Sequence, residues 1–337
     1  MFKVDCQCHV FPREYLKIME EANAEIIPER DPKTGGLFLF DRKANQRINP
    51  VPDKFFDIDA RLQDLDRYGI DIQVLSVPIP GVDRFAPDLA VKLSKAANNG
   101  MAEFVDKMRE RAVGLACLPL VDVDSALDEF DRAIGDLGLK GIGIFSNVNG
   151  KFIDANEFLP IYEKAQKYNV PVFVHPNVPV VGNVLGPDYA LPLIFGWPFD
   201  TTIAMARIAL GGVLDRCPKL KLIFAHGGGM IPFFNKRLDL VANEYSETLM
   251  KKKLEKLPTE HLKMMFVDTA VYYGPSVMCS ISFFGIDHVV FATDYPFGPD
   301  GGRGFLEQSV QVIDSLPLTE EEKSRVCSAN AQALLKQ

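Results

Sequence analysis

Apolar residues recur along this chain in short runs, and the runs alternate with stretches whose apolar positions repeat at helical spacing. Residues 3–9, 70–77, 112–118, 139–145, 170–175, 220–226, 263–269 and 288–294 read as strands. Between them the period changes: Ile58, Leu62 and Leu65 fall on one helical face behind Asp57, a predicted N-cap. Eight strands alternating with helices, with no hydrophobic break for a second domain, predict an α/β fold: a parallel (β/α)8 barrel spanning 1–337 as one domain. Parallel strands need crossovers, and closing the sheet removes its edges. The rhythm is interrupted once, over roughly residues 12–55. There the turn residues Asp31–Gly36 precede the alternating Leu37-Phe38-Leu39-Phe40, which predicts an insertion with a small β-hairpin after strand one. A capped C-terminal helix is expected over 319–335, beginning at Thr319-Glu320-Glu321-Glu322.

Composition narrows the function. The chain has 337 residues, 47% of them hydrophobic, enough for one large core. Its net charge of −8 comes from acidic residues spread along the chain, which argues against nucleic acid, a partner that needs clustered Lys and Arg. No charged leader precedes the first strand, and no uncharged apolar run approaches the roughly 20 residues that span a bilayer, so no membrane partner and a cytoplasmic location are expected. Six cysteines at 6, 8, 117, 217, 279 and 327, several inside apolar runs, read as reduced thiols rather than a disulfide framework.

In a parallel barrel, chemistry gathers where strands end and strand-to-helix loops begin. Side chains alternate along a strand, so Gln7 and His9 share a face while Cys6 and Cys8 point the other way. Strand five ends in His175-Pro176-Asn177, strand six in His226-Gly227-Gly228-Gly229, and strand eight in Asp294-Tyr295-Pro296-Phe297. Three of the five histidines in the chain therefore terminate strands at one barrel mouth. Gln7, His9, His175 and Asp294 form a mixed nitrogen and oxygen ligand set that suits zinc or manganese and leaves a position open for water or substrate. Strand four, 139–145, ends without Lys, Glu or His, so no bridging ligand is offered and a single divalent ion is expected. His261 and His288 lie before strands seven and eight and read as surface residues. Trp197, Phe297 and Phe11 are candidates for an apolar cup around a flat substrate.

These residues carry a resemblance. The opening Asp5 to Pro12, His175-Pro176, Cys217-Pro218-Lys219 leading into His226-Gly227-Gly228-Gly229, Phe266-Val267-Asp268-Thr269-Ala270 and Thr293–Phe297 resemble the metal-dependent decarboxylase branch of the amidohydrolase superfamily. Aminocarboxymuconate-semialdehyde, resorcylate, carboxyvanillate and isoorotate decarboxylases belong to it. The resemblance implies a distorted barrel with an inserted strand pair, one divalent ion, and His226 acting on metal-bound water or substrate. It further implies that Arg47 holds a substrate carboxylate and that Arg237 enters the neighbouring subunit's site, hence a homodimer. Where aminocarboxymuconate-semialdehyde decarboxylase has His-x-His, this chain has Gln7-x-His9, a neutral and weaker ligand at the first position, which favours manganese or another oxygen-tolerant site over tight zinc.

The expected function is nonoxidative decarboxylation of an aromatic or conjugated (hydroxy)carboxylic acid, with Asp294 or His226 handling the proton. The same residues would serve hydrolysis or hydration by metal-bound water. A binding protein on a decayed site is the reading that Gln7 alone would favour.

Overall fold

The computed structural model describes residues 1–186, 188–245, 248 and 256–335. Its strands are β1 Val4–His9, β2 Ile26–Arg30, β3 Leu37–Asp41, β4 Gln46–Pro50, β5 Ile72–Ser76, β6 Ala112–Cys117 and β7 Gly141–Phe145. They continue with β8 Asn147–Val148, β9 Lys151–Phe152, β10 Val172–His175, β11 Leu222–Phe224, β12 Phe266–Asp268 and β13 Val289–Val290. Eight of them form one sheet in the order β1-β5-β6-β7-β10-β11-β12-β13. Past β13 the chain runs along β1: Cys8 bridges Tyr295 in parallel, the amide of His9 donates to Tyr295 O at 2.8 Å, and that of Asp294 donates to Gln7 O at 2.9 Å. The fold is therefore an eight-stranded parallel sheet nearly closed as a barrel and flanked by helices.

The first half of the fold, residues 2–143 with 292–310, carries β1, β5, β6 and the start of β7. All six β1 residues are buried, as a barrel strand covered on both faces requires. Its register slips between Asp5 and Cys8, which face Gln73 and Leu75, so β1 holds one extra residue there. Asp5 is buried against the following turn, accepting from the Thr293 amide at 2.9 Å and its hydroxyl at 2.5 Å. The helix Ile58–Tyr68 starts as expected, the Asp57 carboxylate accepting from the Ala60 amide at 2.9 Å.

The insertion is larger than a hairpin. It holds a helix, Arg13–Glu21, and a three-stranded antiparallel sheet, β2-β3-β4. Pattern reading missed β2 because Pro28, Glu29 and Arg30 break its apolar alternation. Proline is tolerated there because β2 is an edge strand whose outer amides need no sheet partner.

The second half, residues 144–291 with the C-terminal stretch from 311, carries β10 to β13. Thr319 and Glu322 form the expected capping box, and Glu320–Ser324, Arg325–Ala329 and Asn330–Leu335 continue from it, one π turn between two α segments. This segment is fastened to β13: the Phe291 amide donates to Val326 O at 2.9 Å and Asn330 Nδ2 to Val289 O at 2.8 Å. Pro192–Gly211 is the one described helix long and apolar enough by length and composition to cross a membrane. It is not uncharged. Asp200 in it accepts from Ser146 Oγ and from Asn147 Nδ2 at 2.9 Å, and Arg207 bonds Asp154 at 2.7 and 3.1 Å.

All six cysteines are free thiols, Cys279 half-buried and the rest buried. His261 departs from the surface reading: it is 2% exposed, with Nε2 2.8 Å from Asp215 Oδ1. The short helix Pro258–Leu262 turns it inward beside Leu262, and Asp215 meets its polarity. His288 is half-buried, stacked on Phe266 at 4.4 Å with Nδ1 2.9 Å from Met265 O.

Candidate active site

In the first half, the end of β1 meets the turn after β13. His9, 1% exposed, sets Nε2 2.9 Å from Asp294 Oδ1 and Nδ1 3.1 Å from Ser76 Oγ at the end of β5. Gln7 Nε2 donates to the same Asp294 oxygen at 3.1 Å. Despite the bulge, Gln7 and His9 thus reach one carboxylate, as their alternation predicts. Asp294 has a left-handed backbone, φ 65°, a conformation that an L side chain adopts only when its surroundings hold it. Phe297 lies 5.4 Å from the His9 ring and 5.5 Å from Phe55. Phe11 is 1% exposed and packs on Phe55 and Tyr15, so it belongs to the packing rather than to a cup wall.

In the second half, His175 ends β10. Its Nδ1 is 2.8 Å from Pro176 O, which fixes the proton on Nδ1 and leaves Nε2 as the basic nitrogen. The His226 ring lies 5.5 Å from that of His175, and Trp197 stacks on His226 at 6.5 Å with 7° between planes. His226 too is left-handed, φ 57°, and Gly227, Gly228 and Gly229 follow with positive φ. A Cβ on Gly229 would sit 2.3 Å from Pro198 O, so the third glycine is what lets this turn approach the helix Trp197–Gly211.

The turn is held from below by a residue that sequence reading quoted without a role. Asp268, at the end of β12, accepts from the Gly227 amide at 3.2 Å and the Ala270 amide at 3.1 Å. Ser280 Oγ donates to Gly227 O at 3.0 Å. Ser146 and Asn147, past β7, bond Asp200, and the Asn177 amide donates to Ser146 Oγ at 2.9 Å, steadying the loop that follows His175. Ser76 and Asp268 obey the strand-end rule that found the histidines; they escaped notice because Ser and Asp are common in ordinary turns.

His9, His175 and Asp294 each offer one ligand atom, and the three atoms lie within 4.8 Å of one another. Two imidazole nitrogens and a carboxylate at that spacing fit a divalent ion.

The profile of the family described as Amidohydrolase matches residues 4–337. The chain belongs to the amidohydrolase family. Relatives span nearly its whole length: the 2-amino-3-carboxymuconate-6-semialdehyde decarboxylase of Dictyostelium discoideum is 34% identical, covering 99% of this chain and 91% of the relative. The gamma-resorcylate decarboxylase of a Polaromonas species is 27% identical over 85% of this chain and 92% of its own. Among solved structures, the 5-carboxyvanillate decarboxylase of Sphingomonas paucimobilis aligns with a TM-score of 0.85 at 25% identity, covering 99% of each chain. This amidohydrolase is accordingly an enzyme of the decarboxylase, or carboxy-lyase, branch.

The two arginines lie apart from these contacts. Arg47, on β4, pairs with Asp31 at 2.6 Å and stacks over Phe38 at 4.1 Å, and is engaged within the insertion. Arg237 is exposed on the helix Ile231–Glu244.

Proposed function

We propose that this carboxy-lyase removes carbon dioxide from an aromatic or conjugated hydroxycarboxylic acid, using one divalent ion, manganese or zinc, held by His9, His175 and Asp294 with Gln7 as a fourth donor. The observation that carries this reading is the approach of the three donor atoms to within 4.8 Å, each from a different segment of the chain. When bound, the ion would supply positive charge that offsets the charge of the substrate carboxylate. Trp197 and Phe297 present flat apolar faces to a planar substrate. His226, whose ring is parallel to Trp197, binds or polarises a substrate oxygen, and Asp294 takes up the proton of the substrate acid and delivers it to the carbon from which carbon dioxide departs. Arg47 remains the candidate for holding a substrate carboxylate, which it would take up by leaving Asp31.

A homodimer belongs to the same proposal. Phe233, Phe234, Leu240 and Val241 are 78, 48, 61 and 42% exposed on the helix Ile231–Glu244, with Arg237 at the centre of that face. Their spacing puts them on one side of the helix, and an apolar face of this kind marks an interface. A second copy covering it would receive Arg237 at its site. Six free thiols suit a reducing, cytoplasmic setting.

The test is metal analysis of protein purified without chelators, followed by a panel of hydroxybenzoates assayed for carbon dioxide. One equivalent of ion per chain is expected, with release abolished by chelation and restored by manganese or zinc. Full activity after exhaustive chelation, two equivalents in active protein, or ester hydrolysis without carbon dioxide would overturn the reading.

A further inference from the structure

Arg61, on the helix Ile58–Tyr68, heads the wholly buried side chains by size, with 0% exposed. A guanidinium is costly to bury, and a carboxylate is its usual compensation. No described carboxylate pairs with Arg61. Instead Nη2 donates to the carbonyl of His9 at 2.7 Å and to that of Lys54 at 3.1 Å, and Nη1 donates to Gln73 Oε1 at 2.8 Å. The guanidinium carbon lies 4.8 Å from the centroid of the Tyr295 ring, close enough for a cation–π contact. A position that needed only filling would take leucine or methionine at less cost, so the planar fork is there for what it joins.

What it joins are two ligand-bearing backbones. His9 ends β1, and Tyr295 follows Asp294. Asp294 is left-handed, and its conformation depends on its neighbours being pinned. Tyr295 is pinned at both ends: Arg61 lies over its ring, and its hydroxyl donates to Asp64 Oδ2 at 2.9 Å, a carboxylate also paired with Lys54. We infer that Arg61 is a positioning residue of the metal centre, setting His9 and Asp294 at ligand spacing by holding the carbonyl of one and the neighbouring ring of the other. The inference rests on the metal reading above and adds to it a residue that touches neither ion nor substrate.

The test compares Mn2+ affinity, by competition with a chelator of known affinity, and metal-free stability in urea for wild type, Arg61→Lys, Arg61→Gln and Tyr295→Leu. Tyr162→Phe serves as a control; it removes a buried bond to Ile153 O in the other half of the fold. Arg61→Gln should weaken Mn2+ binding on the order of 10- to 100-fold, the range for partners that orient metal ligands. Arg61→Lys should fall between it and wild type, and Tyr295→Leu should weaken binding with Arg61 intact. Tyr162→Phe should lose stability while keeping wild-type affinity. A folded Arg61→Gln with wild-type affinity overturns the inference; if that variant does not fold, wild-type affinity in Tyr295→Leu overturns it. A wild-type chain that binds neither manganese nor zinc overturns the metal reading and this inference together.

Discussion

Gln7 is the residue at which this decarboxylase leaves the pattern it resembles, and the structure gives it a definite partner. Its amide donates to Asp294 Oδ1, the oxygen that also faces His9 Nε2. Replacing it by glutamate removes that donor and sets two carboxylates side by side. Metal-free Gln7→Glu should therefore be less stable, by about 1 kcal/mol or more, since a lost bond to a buried charged group costs at least that. Metal-loaded Gln7→Glu should bind its ion on the order of tenfold more tightly, because a carboxylate donates more charge than an amide. Turnover should drop, since added negative charge weakens the ion as a Lewis acid and opposes an anionic substrate. Gln7→Leu discriminates: unchanged stoichiometry and affinity in chelator competition would strike Gln7 from the ligand set and leave it as a support for Asp294.

Between elements, the loops after β5 and β6 are joined by a buried carboxyl. Asp83, 3% exposed, accepts from the Val121 amide at 3.3 Å, and burial pushes it up from 3.8 to about 7 against the pull of the Val121 and Leu120 amides. Its folded-state value is raised, so the unfolded chain releases this proton first. The stability Asp83 contributes is complete below about pH 4 and is lost as pH rises through about 7, levelling off beyond. One such group gives a slope of at most about 1.4 kcal/mol per pH unit in that window. Urea unfolding at pH 5 and pH 7 should therefore show wild type losing more stability than Asp83→Asn. Equal losses would mean that Asp83 stays ionised when folded.

At the scale of the whole molecule, the exposed face of the helix Ile231–Glu244 and the site are linked through the proposed dimer. An Arg237→Ala chain and a His226→Ala chain, each inactive alone, should regain activity when mixed, because one of the two hybrid sites then holds both residues. Verified mixed dimers without activity would remove the shared site, and a wild-type monomer in solution would remove the interface as well. Ultracentrifugation settles the second point before the first is attempted.

The sequence by itself determined the barrel and the strand ends at which its candidate ligands stand. Predicted strands 3–9, 112–118 and 170–175 correspond to Val4–His9, Ala112–Cys117 and Val172–His175. Ala112–Cys117 is buried throughout and reads as a continuous apolar run, whereas Val4–His9 and Val172–His175 are marked by the polar groups at their ends. Parallel topology then gathers the strand ends at one mouth, which is why His9, His175 and Asp294 read together as a ligand set from the sequence. Only the tertiary structure decided the rest. Pro28 hid an edge strand, His261 turned inward to meet Asp215, and one extra residue in β1 set its register against β5. Arg61 gave no signal of its own, and Ser76 and Asp268 gave only a strand-end position that ordinary turns share. Periodicity reports which face of an element is buried; it is silent on which partner, 52 residues away for Arg61 and His9, a buried polar group will meet, because that depends on register and side-chain direction fixed only when the sheet closes.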